Sequence, residues 1–311
     1  MKRAVTIGFV GAFGLFACAQ GVSRDGYLSE DRDPTSAADA GPDQTSKTIP
    51  STASTGSIVH ENVTDRDASA PEPRESDEVH EVFGHGAEVL YRLDPVTKAV
   101  TVVGSFDGCS GVSDIALDEH STLYGVSKDA LYEIDKTTAS CKKLFTGTYP
   151  NSLSFVPKGT VDANHEALVG YDDADYIRID LTTGKRSVIG KLGGPSGVIS
   201  SGDVVSVKGG KTYLTVKGGS ACKSKDCLYE VDPATGKKLH DWGSIEHKQV
   251  FGLAFWGGKL YGFAADGSVF EVTFGTSKIV TTELAVPNAP DDLSFWGAGS
   301  STSVPVAELP K

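Results

Sequence analysis

One short pattern recurs along the chain and restricts its fold more than any other feature. "VLYRLDPVTKAV" from Val89, "DALYEIDKTTAS" from Asp129, "YIRIDLTTGKRS" from Tyr176 and "CLYEVDPATGKK" from Cys227 are near copies of one strand followed by one turn. Their aspartates, Asp94, Asp135, Asp180 and Asp232, are separated by 41, 45 and 52 residues, and Thr273 in "SVFEVTFGT" takes the same place after a further 41. A second strand type precedes most copies: "DIAL" from Asp114, "SLSF" from Ser152, "VVSV" from Val204, "GLAF" from Gly252 and "DLSF" from Asp292. Between the two types lie "LYGV" from Leu123, "LVGY" from Leu168, "YLTV" from Tyr213 and "LYGF" from Leu260.

A strand-rich unit of roughly 40 to 50 residues, with about four strands in each, is the pattern of propeller blades. Apolar residues come in short runs, and 36 glycines punctuate them, so the chain is expected to be all-β. In each first strand a small residue (Ala116, Ser154, Ser206, Ala254, Ser294) alternates with a large one (Leu117, Phe155, Val207, Phe255, Phe295). Strands crowded round an axis need that alternation. The repeats open on the third strand type and close on the first, "DDLSFWG" at Asp291 to Gly297. One blade is therefore expected to draw on both chain ends, closing a ring of five four-stranded blades without open edges. An open or six-bladed arrangement with one degenerate blade is the alternative. The repeated aspartates are expected to cap their own turns, with proline presetting φ and Gly236 supplying a positive φ at the hairpin exit.

The N-terminus reads as a targeting segment. Lys2 and Arg3 precede the 13-residue stretch "AVTIGFVGAFGLF", which is apolar, uncharged and shorter than the roughly 18 residues of a spanning helix. "LFAC", with Leu15, Ala17 and Cys18, resembles the lipobox of bacterial lipoproteins. The resemblance implies a signal peptide over residues 1–17, acylation of Cys18 and a membrane partner reached through that lipid; Ala19 implies the outer membrane of a Gram-negative cell envelope. Residues 18–82 are polar and low in apolar content, as expected of a disordered tether. From Ala19 to Val82 the sequence holds 14 acidic and 5 basic residues, a net of -9 out of the chain's -12. Residues 83–311 form the expected propeller domain. With no basic cluster, nucleic acid is excluded as a partner.

"YEVDPATGKKLHDW", with Asp232, Thr235, Gly236 and Trp242, resembles the repeat of quinoprotein-like (PQQ-type) propellers. The resemblance covers one repeat well and three in part, because the other copies lack the tryptophan. It implies the fold and carries no cofactor with it.

Apart from Cys18, four cysteines remain, an even number suited to an oxidising compartment. Cys222 and Cys227 sit at the neck of one loop and are expected to pair. Cys109 and Cys141 are left to each other by elimination, although a simple meander puts them on opposite rims. No nucleophile elbow, zinc-protease, Walker or dinucleotide motif occurs. His85, His165 and His247 are expected at the surface or in turns. One constellation bears on chemistry: Asp114 and Asp292 begin first strands, Asp203 lies one position earlier in its own repeat and Asn151 is nearby in another, and all are expected at one mouth of the channel. Such oxygen ligands suit a hard cation such as calcium. Two function classes follow: a non-catalytic module binding an envelope protein or carbohydrate, with no cofactor, and a lactonase-like hydrolase with a divalent metal at the channel mouth.

Overall fold

The computed structural model describes residues 81–286, 290 and 292–307, together with Arg24. The expected signal peptide, Cys18 and, Arg24 apart, the expected tether up to residue 80 lie outside the described residues. Among the described residues, twenty strands form five antiparallel four-stranded sheets in a ring, a five-bladed β-propeller. The first blade contains β1 (Val82–His85), β2 (Val89–Leu93) and β3 (Val100–Ser105). The second runs through β4 (Val112–Leu117), β5 (Leu123–Ser127), β6 (Ala130–Ile134) and β7 (Cys141–Thr146). The third holds β8 (Ser154–Val156), β9 (Ala167–Asp172), β10 (Asp175–Ile179) and β11 (Arg186–Lys191). The fourth is β12 (Val198–Ser206), β13 (Thr212–Gly218), β14 (Cys222–Val231) and β15 (Lys238–Ser244). The fifth is β16 (Val250–Trp256), β17 (Lys259–Ala264), β18 (Val269–Phe274) and β19 (Ile279–Leu284), after which β20 (Gly297–Ser300) returns to the first.

Burial falls from the axis outward. Every residue of the inner strands β4 and β16 is buried, whereas the outer strands β3 and β7 alternate between half-buried and exposed. Inner strands have blades on both sides, so both of their faces must be apolar or hydrogen-bonded; outer strands meet water along one edge.

The ring closes where β20 pairs with β1, from Val82 opposite Ser300 to His85 opposite Gly297. The inner strand of the first blade is thus "GAGS", and "DLSF" is not a strand: Asp292 stands in a turn ahead of it. Crowding at the axis explains the shift. A Cβ on Gly252 would lie 2.6 Å from that of Ala298, so this level admits only the smallest side chains. Phe295 is buried all the same, edge-on to Tyr91 at 5.7 Å and to Phe263 at 5.2 Å between the first and fifth blades. Each such aromatic pair contributes about 0.5–1.5 kcal/mol beyond its buried area.

After β20 the chain crosses the far end of the channel. Ser301 donates its hydroxyl to the Asp118 carbonyl (2.7 Å), Thr302 bonds Glu166, Lys208 N–H donates to Thr302 O (2.9 Å), and Gly257 N–H donates to Pro305 O (2.9 Å). Four blades are stitched to one short segment.

The repeated turn has two tasks. Asp94, Asp135, Asp180 and Asp232 each accept the backbone N–H groups two and three residues on, at 2.7–3.3 Å. Each turn also ends on a positive φ, at Lys98, Ala139, Gly184 and Gly236. These turns then dock on the preceding blade: Tyr171 and Tyr176 of the third blade donate to Gly236 O (2.6 Å) and Pro233 O (2.8 Å) of the fourth, and Tyr149 donates to Gly184 O (3.0 Å). At Gly236 an added Cβ would lie 2.3 Å from the Tyr176 ring, so glycine serves both the turn and the contact.

The same docking corrects the expectation of separated rims for Cys109 and Cys141. Strand twist swings the outer edge of one blade toward the next. The exit of the first blade meets the turn of the second, Cys141 N–H donates to Asp107 O (2.6 Å), and the two cysteines are bridged with Cα atoms 5.6 Å apart. Cys222 and Cys227 are bridged across their loop, with Cα atoms 5.5 Å apart.

Candidate functional site

The inner strands β4, β12 and β16 each depart from regular pairing at the same level. The register slips between Val112 and Asp114, between Ser200 and Val204, and between Val250 and Gly252. Bulges of this kind re-aim side chains and free backbone groups. Here they place Asp114, Asp203 and the Phe251 carbonyl around the mouth of the channel.

Asp114 and Asp203 are both fully buried. Asp114 accepts Ile115 N–H at 2.9 Å and, from the third blade, Leu153 N–H at 2.7 Å. Asp203 repeats the arrangement two blades on, accepting Val204 N–H at 2.6 Å and Leu253 N–H from the fifth blade. Two further contacts of this type tie the blades together: Asp226 accepts Val250 N–H at 2.8 Å, and the Ser300 hydroxyl accepts Phe255 N–H at 2.9 Å. The two channel carboxyls are near enough for each to shift the other's pKa. Burial pushes both well above the usual carboxylate range, the Asp114 charge pushes Asp203 further, and the Arg24 guanidinium opposes the shift. Burial thus favours the protonated form of each carboxyl relative to an exposed one.

Arg24 is the one described residue of the N-terminal segment, and it is 1% exposed. Its guanidinium donates to Phe251 O (3.1 Å), Gly202 O (3.1 Å) and Asn151 O, and its carbon lies 4.7 Å from the Phe251 ring centre.

His85, expected at the surface, is instead fully buried on β1. Burial pulls its pKa down to about 3 against the opposing pull of the Gly86 carbonyl, so the ring is neutral. With Nδ1 at 2.8 Å from that carbonyl, Nδ1 carries the proton; Nε2 has no hydrogen-bond partner. His165 is exposed in a turn as expected, while His247 stacks on Phe270 at 3.9 Å.

Beside Arg24 opens a cleft of about 850 Å³ between the first and fifth blades, lined in part by Tyr91, Gln249, Phe251, Asp292 and Trp296. Asp292 stands on this wall and does not join the Asp114–Asp203 pair. Among the described residues, no three His, Cys, Asp or Glu side chains stand together so as to hold a metal ion.

Asp114 and Asp203 were legible as members of one acidic set because they take nearly equivalent places in their repeats, Asp203 one position earlier. Arg24, His85 and Phe251 were not. Arg24 lies 57 residues before Glu81 in a polar stretch, and no local pattern marks it.

No family profile matches the chain, and no curated protein matches it. Solved structures do resemble it. One is a symmetrical protein from a study of its de novo evolutionary emergence (15% identity, 74% of this chain and 99% of that one, TM-score 0.47). Another comes from a nidogen–laminin complex (12% identity, 70% and 97%, TM-score 0.42). A third is a gluconolactonase of Xanthomonas campestris (14% identity, 76% and 79%, TM-score 0.44). Nothing about the site is carried over from them.

Proposed function

We propose that the chain is a lipid-anchored cell-envelope propeller that acts as a non-catalytic binding module through the mouth of its channel. The observation that carries this reading is the use made of Asp114 and Asp203. Each carboxyl already accepts two backbone N–H groups, one from its own strand and one from the following blade, and a guanidinium stands beside them. A calcium or magnesium site needs several anionic or neutral oxygens turned toward one point. These are turned toward the protein, and the local positive charge is already supplied.

The cleft supports the same reading. Tyr91, Phe251 and Trp296 give it aromatic walls, and Gln249 and Asp292 give it a few polar groups. That mixture suits a polypeptide or carbohydrate partner from the envelope. At the opposite ends of the inner strands the segment after β20 is bonded to four blades. Anchoring follows from Lys2, Arg3, the short apolar run and Cys18.

Calorimetric titration of the full chain with calcium, magnesium and zinc tests the central part. Stoichiometric binding that Asp114→Asn abolishes would replace this reading with a metal-dependent hydrolase. For the anchor, wild-type protein should fractionate with membranes and Cys18→Ser should not; equal membrane association of both would remove it.

A further inference from the structure

We propose that the channel mouth is a socket for an arginine side chain, occupied in cis by Arg24. Three backbone carbonyls converge on the guanidinium from three successive blades: Asn151 ahead of β8, Gly202 on β12 and Phe251 on β16. The Phe251 ring covers one face at 4.7 Å. Behind the carbonyls stand Asp114 and Asp203, whose ionisation the guanidinium favours.

Each part of this set matches guanidinium chemistry. A buried cation is tolerated only where hydrogen bonds and charge replace its water. Guanidinium offers a planar fork of donors and a weakly hydrated face that stacks on aromatic rings, whereas an ammonium is a compact point donor. Carbonyls held in fixed directions by rigid strands select the first. Gly202 keeps the space open, since a Cβ there would lie 3.1 Å from Arg24 Nη1 and 2.7 Å from the Phe251 Cα.

The socket lies on the wall of the cleft that also holds Gln249, Asp292 and Trp296. A partner polypeptide that presents an arginine to this cleft would compete with Arg24 for the same carbonyls. Arg24 therefore sets a threshold that such a partner must exceed. The competition rests on the binding-module reading given above; the socket does not.

Thermal melting of the full chain tests the socket. Wild type, Arg24→Ala and Arg24→Lys are compared alone, then with N-acetyl-arginine amide, then with N-acetyl-lysine amide. Because a tethered side chain acts at an effective concentration of order millimolar, the free derivatives are used at about 10 mM or above. Both variants should melt below wild type by about 4 °C or more. The arginine derivative should restore a large part of the loss in Arg24→Ala and leave wild type unmoved, and the lysine derivative should restore none. Arg24→Ala melting with wild type, Arg24→Lys melting with wild type, or failure of the arginine derivative to act selectively would each overturn the proposal. None of these results bears on metal binding, so the socket and the binding-module reading fail by separate experiments.

Discussion

Asp114 and Asp203 are matched in role: each holds a backbone N–H of the blade that follows its own, Leu153 for one and Leu253 for the other. Two carboxyls thereby join four of the five blades at one level. They do so without exposure to solvent.

The raised pKa of Asp203 makes stability depend on pH. Burial and the Asp114 charge hold Asp203 above its ordinary value. The folded chain keeps a proton that the unfolded chain releases above about pH 4, so this contribution is full below that pH and is lost as pH rises through the folded-state value. Neutral His85 acts in the opposite sense: its depressed pKa weakens the fold as pH falls below about 6.5. Comparison with Asp203→Asn at each pH separates the two. Denaturant unfolding from pH 4 to 8 should show wild type losing stability relative to the variant as pH rises; a constant difference would mean that folding does not raise the Asp203 pKa.

Gly297 sits where a side chain cannot. A Cβ there would meet Asp114 Oδ1 at 2.2 Å and His85 Nε2 at 2.4 Å. Gly297→Ala should cost about 3 kcal/mol or more, at or above the upper end of ordinary overpacking. Gly159→Ala has open space but a φ of +85°, and should cost about 1 kcal/mol. Equal losses, measured by chemical denaturation, would show that crowding at the axis is not what selects Gly297.

Much of the ring was readable because its signals are local. Asp94, Asp135, Asp180 and Asp232 cap turns through hydrogen bonds spanning two or three residues, so pattern and structure coincide there. The closing strand was misplaced for the opposite reason. "DLSF" carries an alternating apolar pattern, whereas Gly297, Ala298 and Gly299 carry none, and it is contact with β4 and β16 that demands small residues. His85 and Arg24 are likewise defined by distant neighbours.

Truncation before Gly297 removes both the strand that pairs with β1 and the segment that stitches Asp118, Glu166, Lys208 and Gly257. The shortened chain should aggregate or unfold without a cooperative transition, because β1 becomes an open edge at the axis. A truncated chain that is monomeric and melts in one step near the wild-type temperature would contradict ring closure by β20.

The two bridges should differ in weight. Cys109 and Cys141 are 32 residues apart, Cys222 and Cys227 only 5. On loop-closure entropy alone these correspond to about 3.7 and about 2 kcal/mol. Cys109→Ser/Cys141→Ser should therefore lower stability more than Cys222→Ser/Cys227→Ser, as read from unfolding midpoints. The reverse order would place the constraint in the short loop instead.

The most direct test of the account is the chelator dependence of Asp114→Ala and Asp203→Ala. If the carboxyls stitch blades, each variant strands two buried N–H groups and loses about 2–4 kcal/mol, and the loss is the same with or without a chelator. If they are ligands, wild type in chelator already lacks the metal's contribution, and the variants should then fall little further. Full loss in chelator is the predicted result; a loss that chelator abolishes would contradict it.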